Sequence, residues 1–185
     1  MTDAAGGTHG STVIPPDWGE PRSKTVTWYD PAITAAEAAA AKVSGLEFLR
    51  AIRDGALPPA PIAGLLGIQI CEVEVGRVVI ACRPDESVYN PIGVVHGGLV
   101  CTLADTAAAC AVQTTLEAGF GYTSIDLAVC YLRPVSLNSG QLRATGLVTK
   151  PGRRVAFSKA EIVDQAGKVV ATATSSCLVF DIMSG

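Results

Sequence analysis

Between Leu65 and Phe180 the apolar positions recur with two different periods, and each change of period marks a change of element. Alternation at period two predicts strands over residues 67–75 and 77–83, joined at Gly76 by a tight turn into a hairpin. After an irregular piece at 84–95, Leu99, Leu103, Ala107, Ala108, Ala111 and Val112 fall at helical spacing and predict one long helix from Gly97 to about Glu117. So many small side chains let a sheet approach this helix closely. Alternation then returns over 122–132, 141–149, 155–163 and 169–180. The connections Asn138-Ser139-Gly140, Lys150-Pro151-Gly152 and Gln165-Ala166-Gly167 carry antiparallel turn chemistry. The expected class is α+β, an antiparallel sheet free to wrap one central helix.

The chain ahead of this stretch reads differently. Residues 1–30 are rich in Gly, Thr and Pro without hydrophobic periodicity, which predicts a mobile arm that orders only against a neighbour; His9 lies there and supports no argument. Pro31 suits a first helical position, and the Ala run followed by Leu46, Phe48, Leu49 and Ile52 extends a helix to Gly55. Pro58, Pro59 and Pro61 then mark a linker, dividing the chain into an N-terminal arm and helix (1–57) and one domain (58–185).

Composition narrows the function classes. Of 185 residues, 49% are apolar and 17% charged, so little charge is available to cover a monomer's surface, and some apolar surface is expected between subunits. A net charge of -3 without a basic block argues against nucleic acid as a partner. The six cysteines form no CxxC pair and stand beside only two histidines, which argues against zinc and for free thiols in a reducing cytosol. No basic segment followed by an apolar one opens the chain, and Asp105 interrupts its most apolar stretch; a soluble, unexported, cytoplasmic protein is expected.

Asp105 is the oddest residue of the long helix. Its neighbours at three and four positions, Cys101, Thr102, Ala108 and Ala109, predict a buried face, where an ionised carboxylate is costly unless it is hydrogen-bonded or faces a wet cavity. A catalytic carboxylate and a structural one bonded to a buried hydroxyl both fit. The approach to the helix is Asn90-Pro91-Ile92-Gly93-Val94-Val95-His96-Gly97-Gly98, with glycines at the first helical turn. Unfilled amides there can form an oxyanion hole, with Gly97 the best donor, or the glycines only permit a tight turn. His96 reads as a positioning group rather than an acid or base. Asn90 is either a turn starter or an amide that holds a carbonyl or a water.

Taken together, Asn90, Gly93, His96-Gly97-Gly98, Leu103-Ala104-Asp105, Thr123-Ser124-Ile125-Asp126-Leu127 and Leu132-Arg133-Pro134 resemble the PaaI-type acyl-CoA thioesterases of the hotdog superfamily, over roughly residues 61–180. That resemblance implies a sheet-wrapped helix, a homodimer or homotetramer, and active sites at the subunit interface. It puts the catalytic carboxylate on Asp105, the oxyanion donor on Gly97, the orienting amide on Asn90, a supporting hydroxyl on Ser124 and the family histidine on His96. Gly98, Thr123, Arg133, Lys150, Arg153 and Arg154 are the expected substrate contacts, the basic ones facing coenzyme A phosphates, with Lys159 a further candidate. The N-terminal arm and helix lie outside the pattern.

The expected chemistry is hydrolysis of an acyl-CoA thioester without metal or cofactor, Asp105 activating water or attacking directly. Two rivals share the fold. A non-catalytic acyl-CoA sensor would need no helix carboxylate, and a hydratase would call for a histidine paired with an acid. GxSxG, HExxH and P-loop motifs are absent.

Overall fold

The computed structural model describes residue 17 and residues 19–182, without the side chains of 38–41, so His9 and most of the N-terminal arm lie outside the described residues. The described part of the arm touches its own domain: Lys24 Nζ is 2.7 Å from Asp85 Oδ2, and Arg22 pairs with Glu86. Helix α1 (Pro31–Ala41) follows, then α2 (Gly45–Arg53), so the single helix expected from Pro31 to Gly55 is in fact two. Lys42 turns the chain at φ 49°, and Ser44 restarts it through a capping box: its Oγ accepts from Glu47 N–H while Glu47 Oε2 accepts from Ser44 N–H at 2.9 Å. The expected Pro-rich linker contains a third short helix, α3 (Pro61–Leu66), which starts on proline and stops at Gly67, φ 66°.

Beyond α3 come β1 (Ile68–Glu74), β2 (Arg77–Cys82), α4 (Gly97–Gln113), β3 (Phe120–Tyr131), β4 (Leu142–Lys150), β5 (Val155–Val163) and β6 (Val169–Asp181). All pairings are antiparallel, in the order β1-β2-β4-β5-β6-β3, so β1 and β3 form the edges. The hotdog architecture follows from where α4 lies, along the face of the sheet, with Leu103, Ala104, Ala107, Ala108, Ala111 and Val112 all 0% exposed. Gly146 on β4 shows how close the layers are: a Cβ there would overlap the Ala107 carbonyl. Leu49 of α2 joins the same core at 2% exposure.

Helix α4 stops at Gln113, short of the expected Glu117. Thr114 and Thr115 turn their hydroxyls back onto the carbonyls of Ala111 (2.6 Å) and Val112 (2.7 Å), and Thr114 Oγ1 also accepts from Gly76 N–H at 2.7 Å. That last bond ties the C-terminal end of α4 to the β1–β2 turn. Its N-terminal end lies at the opposite end of the sheet, where Val95 N–H donates to Val135 O and Arg133 N–H to Val170 O. Among the described residues, no helix is long and apolar enough to cross a membrane, and no three His, Cys, Asp or Glu side chains gather as metal ligands. The six cysteines are free thiols; Cys82, Cys110 and Cys177 are buried, Cys71 and Cys101 partly so, and Cys130 is exposed.

Candidate active site

The helix start is built around one peptide bond. His96 is the N-cap of α4: its Nδ1 accepts from Gly98 N–H at 2.8 Å, its own N–H donates to Val88 O, and its carbonyl accepts from Leu99 N–H. Nδ1 is thus the acceptor of the pair. Among the described residues, the N–H of Gly97 has no hydrogen-bond partner, while the amides on either side of it do. The positive end of the helix is concentrated on that one N–H.

The loop that delivers this turn is held by Asn90. Its Oδ1 accepts from the N–H groups of Ile92 (3.1 Å) and Val94 (3.3 Å), its backbone N–H donates to Val94 O, and Gly93 adopts φ 82° to close the loop. The side-chain NH2 of Asn90 has no partner among the described residues. The oxygen therefore shapes the turn, as expected of a turn starter, and the amide protons are left over.

Asp105 is half-buried, and its Oδ1 accepts a 2.7 Å hydrogen bond from Ser124 Oγ across the α4–β3 contact. Its Oδ2 has no partner among the described residues. Ser124 faces the helix because β3 carries a bulge between Ser124 and Asp126, where the register with β6 shifts. Tyr122 and Ser124 point inward before the bulge, and Leu127, Val129 and Tyr131 after it. Thr123 and Asp126 are exposed.

Behind the carboxylate lies a buried cluster of Cys110, Tyr122 and Cys177. Burial pushes the Cys110 thiol up to about 12 and the Tyr122 phenol well above its ordinary range, and the negative charge of Asp105 adds to both. Burial raises Cys177 as well, against the lowering effect of hydrogen bonds from Ser175 and Ser124. Asp105 is therefore backed by groups that stay neutral at physiological pH.

The expected substrate contacts divide between the two ends of the sheet. Arg133 lines a cavity of about 300 Å³ with Gly97, Val100, Tyr131 and Val135, and its guanidinium donates to Val169 O. Gly98 is exposed at the same end, its N–H already taken by His96. Lys150, Arg153 and Arg154 lie on the β4–β5 connection, at the C-terminal end of α4; Val179 N–H donates to Arg154 O there. From Val169 to Leu178 β6 spans about 30 Å at ~3.4 Å per residue, which keeps these three far from Gly97 in one protomer. Lys159 sits on the sheet face away from α4, in a hollow of about 480 Å³ shared with Glu161 and Thr172.

Sequence reasoning missed Tyr131. Its hydroxyl donates to Gly97 O at 3.0 Å and its ring lies against the Gly97 Cα. The available signal was period two on β3, which puts Tyr131 on the face of Leu127 and Val129 at the strand's last position.

Known proteins share the fold of this region and resemble it in sequence. The sequence profile of the thioesterase superfamily matches residues 92–171, the stretch holding Gly97, Asp105 and Ser124. Human acyl-coenzyme A thioesterase 13 is 33% identical over 97 residues, 52% of this chain and 68% of that protein. The phenylacetic acid degradation-related protein of Ralstonia eutropha superposes with a TM-score of 0.65 at 32% identity, covering 70% of this chain and 98% of the other. The Escherichia coli PaaI protein of the phenylacetic acid degradation operon superposes at 0.61 with 29% identity, covering 65% and 85%. With its helix start, helix carboxylate and six-stranded sheet in this arrangement, the chain belongs to the thioesterase superfamily, as a hotdog-fold thioester hydrolase.

Proposed function

We propose that the chain hydrolyses acyl-CoA thioesters in a homodimer or higher homo-oligomer, at sites that combine the α4 start of one protomer with Asp105 of another. The observation that carries this reading is that one helix holds two incomplete halves of a site, a Gly97 N–H without a partner among the described residues at its start and an Asp105 carboxylate half-bonded among them eight residues on. Eight residues of α-helix rise about 12 Å. A carbonyl bond is only about 1.2 Å long, so a single thioester cannot meet both groups of one chain. A second protomer supplies the missing half.

The edge of β3 is where that protomer would join. Antiparallel pairing of two β3 strands about a two-fold axis sets the start of each against the end of the other, carrying Asp105 and Ser124 of one protomer toward Gly97 of its partner. The same pairing moves Lys150, Arg153 and Arg154 of one protomer toward the Arg133 end of the other, where they would frame coenzyme A phosphates. The name of the human relative, an acyl-coenzyme A thioesterase, supports the substrate class.

In the reaction the thioester oxygen takes the Gly97 N–H, and the Asn90 amide orients that oxygen or the attacking water. Asp105 Oδ2 removes a proton from water while Ser124 holds Oδ1, and the hydroxide oxygen adds to the carbonyl carbon. The tetrahedral oxyanion is stabilised by the Gly97 N–H and the helix dipole. Collapse breaks the C–S bond, and Asp105 returns the proton to the coenzyme A thiolate. Hydration of a double bond is disfavoured because His96 pairs with Gly98 N–H and not with an acid.

Asp105→Asn tests the reading with little change of shape. Coenzyme A release from a panel of phenylacetyl, hydroxybenzoyl and straight-chain CoA esters should fall by about two to four powers of ten, the usual contribution of a general base, with the circular dichroism spectrum unchanged. A fully active variant refutes the assignment.

A further inference from the structure

We propose that Tyr131 is a positioning residue of the oxyanion hole, fixing the peptide unit next to the donor so that the Gly97 N–H points at the substrate; this rests on the thioesterase reading above. The Gly97–Gly98 peptide is held at both ends by side chains. His96 Nδ1 takes its N–H at 2.8 Å, and Tyr131 hydroxyl donates to its C=O at 3.0 Å. The preceding peptide, His96–Gly97, carries the free donor, and only the Gly97 Cα lies between the two planes. Fixing one plane therefore leaves the other only the two torsions of Gly97 in which to turn. Glycine has the widest backbone freedom of any residue, and two of them in succession at a helix start need such a restraint.

The ring contributes separately from the hydroxyl. A Cβ built on Gly97 would come within 3.2 Å of the Tyr131 ring, so the aromatic face occupies the space that glycine leaves open. It also walls the cavity of about 300 Å³ beside Gly97 and Arg133. Tyr131 reaches this position from the last residue of β3, with the parity set by the bulge at Ile125. The bulge that aims Ser124 at Asp105 thus also aims Tyr131 at Gly97.

Tyr131→Phe keeps the ring and removes only the hydroxyl. Two readouts follow from it. In an amide-exchange experiment by NMR, the Gly98 N–H keeps its bond to His96 Nδ1 but should exchange about tenfold faster, because its peptide unit loses the restraint on the Gly97 carbonyl, on the scale of one hydrogen bond, while Ala107 and Ala108 in the middle of α4 are unchanged. With acyl-CoA, kcat should fall by a similar factor of about ten at unaltered KM, because the donor matters most when charge develops on the oxygen. Combining Tyr131→Phe with His96→Ala should cost less than the product of the single effects, since both side chains hold one peptide unit. Unchanged Gly98 exchange overturns the proposal whether or not the protein hydrolyses acyl-CoA. So does an unchanged kcat, or a change confined to KM. Absence of wild-type hydrolysis across the ester panel refutes the thioesterase reading instead, and the exchange data still decide whether Tyr131 holds the turn.

Discussion

At the scale of single residues, the proposed site depends on groups that have no partner among the described residues where their neighbours are satisfied. Gly97 is the clearest case, and its place as the first residue of α4 allows a substitution that removes the donor and little else. Proline is favoured at a first helical position and has no N–H. His96 already has φ -60° and ψ 133°, a conformation compatible with a following proline. A Cβ at this position meets the Tyr131 ring at 3.2 Å, so that ring must yield by a few tenths of an ångström. Gly97→Pro should therefore lower kcat by about two to three powers of ten, as for other lost oxyanion-hole donors, while the melting temperature stays near the wild-type value. A matching loss of stability would assign Gly97 to folding rather than to the oxyanion. Asp105 was legible as an anomaly because a charge on an alanine-rich helical face breaks the pattern. Its partner Ser124 was not legible from alternation alone. The bulge at Ile125 reverses which residues of β3 face inward, and a bulge is set by pairing with β6, which local periodicity does not contain.

At the scale of elements, the strands and the long helix were readable because burial demands apolar residues, at alternate positions in β5 and in unbroken runs in β2 and over residues 107–112 of α4. What was missed lies at the ends. The break between α1 and α2 was written in Ser44-Gly45-Leu46-Glu47, a capping-box signature hidden behind the high helix propensity of the preceding alanines. The stop of α4 at Gln113 depends on Thr114 meeting Gly76, a tertiary contact between residues far apart in the chain. The α4–β4 crossing is a close element contact, and its prediction follows from the absence of a side chain at Gly146. Gly146→Ala sets a methyl group against the Ala107 carbonyl in a fully packed layer, where neither backbone can retreat without moving others. Chemical denaturation should show a loss of about 1–3 kcal/mol or more, typical of overpacking. An unaltered midpoint would mean that β4 and α4 are not in contact at this point.

At the scale of the whole molecule, the two edges of the sheet differ in a way that bears on assembly. The β1 edge is seven residues long, is bulged at Cys71 and has α2 and α3 against it. The β3 edge is twelve residues long and exposes Phe120, Ile125 and Tyr131. A long edge with open backbone groups and apolar side chains is the kind that a second strand covers. If sites form across that edge, each draws Gly97 from one protomer and Asp105 from the other, and two inactive variants should complement each other. Coexpressing Gly97→Pro with Asp105→Asn at equal levels makes half of all dimers mixed. Each mixed dimer then holds one site with both groups intact and one with neither. Activity should return to about a quarter of the wild-type value per site, as two-fold symmetry with random pairing requires. Each variant expressed alone stays inactive. A site contained within one chain cannot be rebuilt this way, because every chain in the mixture carries one of the two lesions. No recovery in mixed dimers isolated with two different affinity tags would therefore overturn the shared site and return the helix start and the carboxylate to a site within one chain.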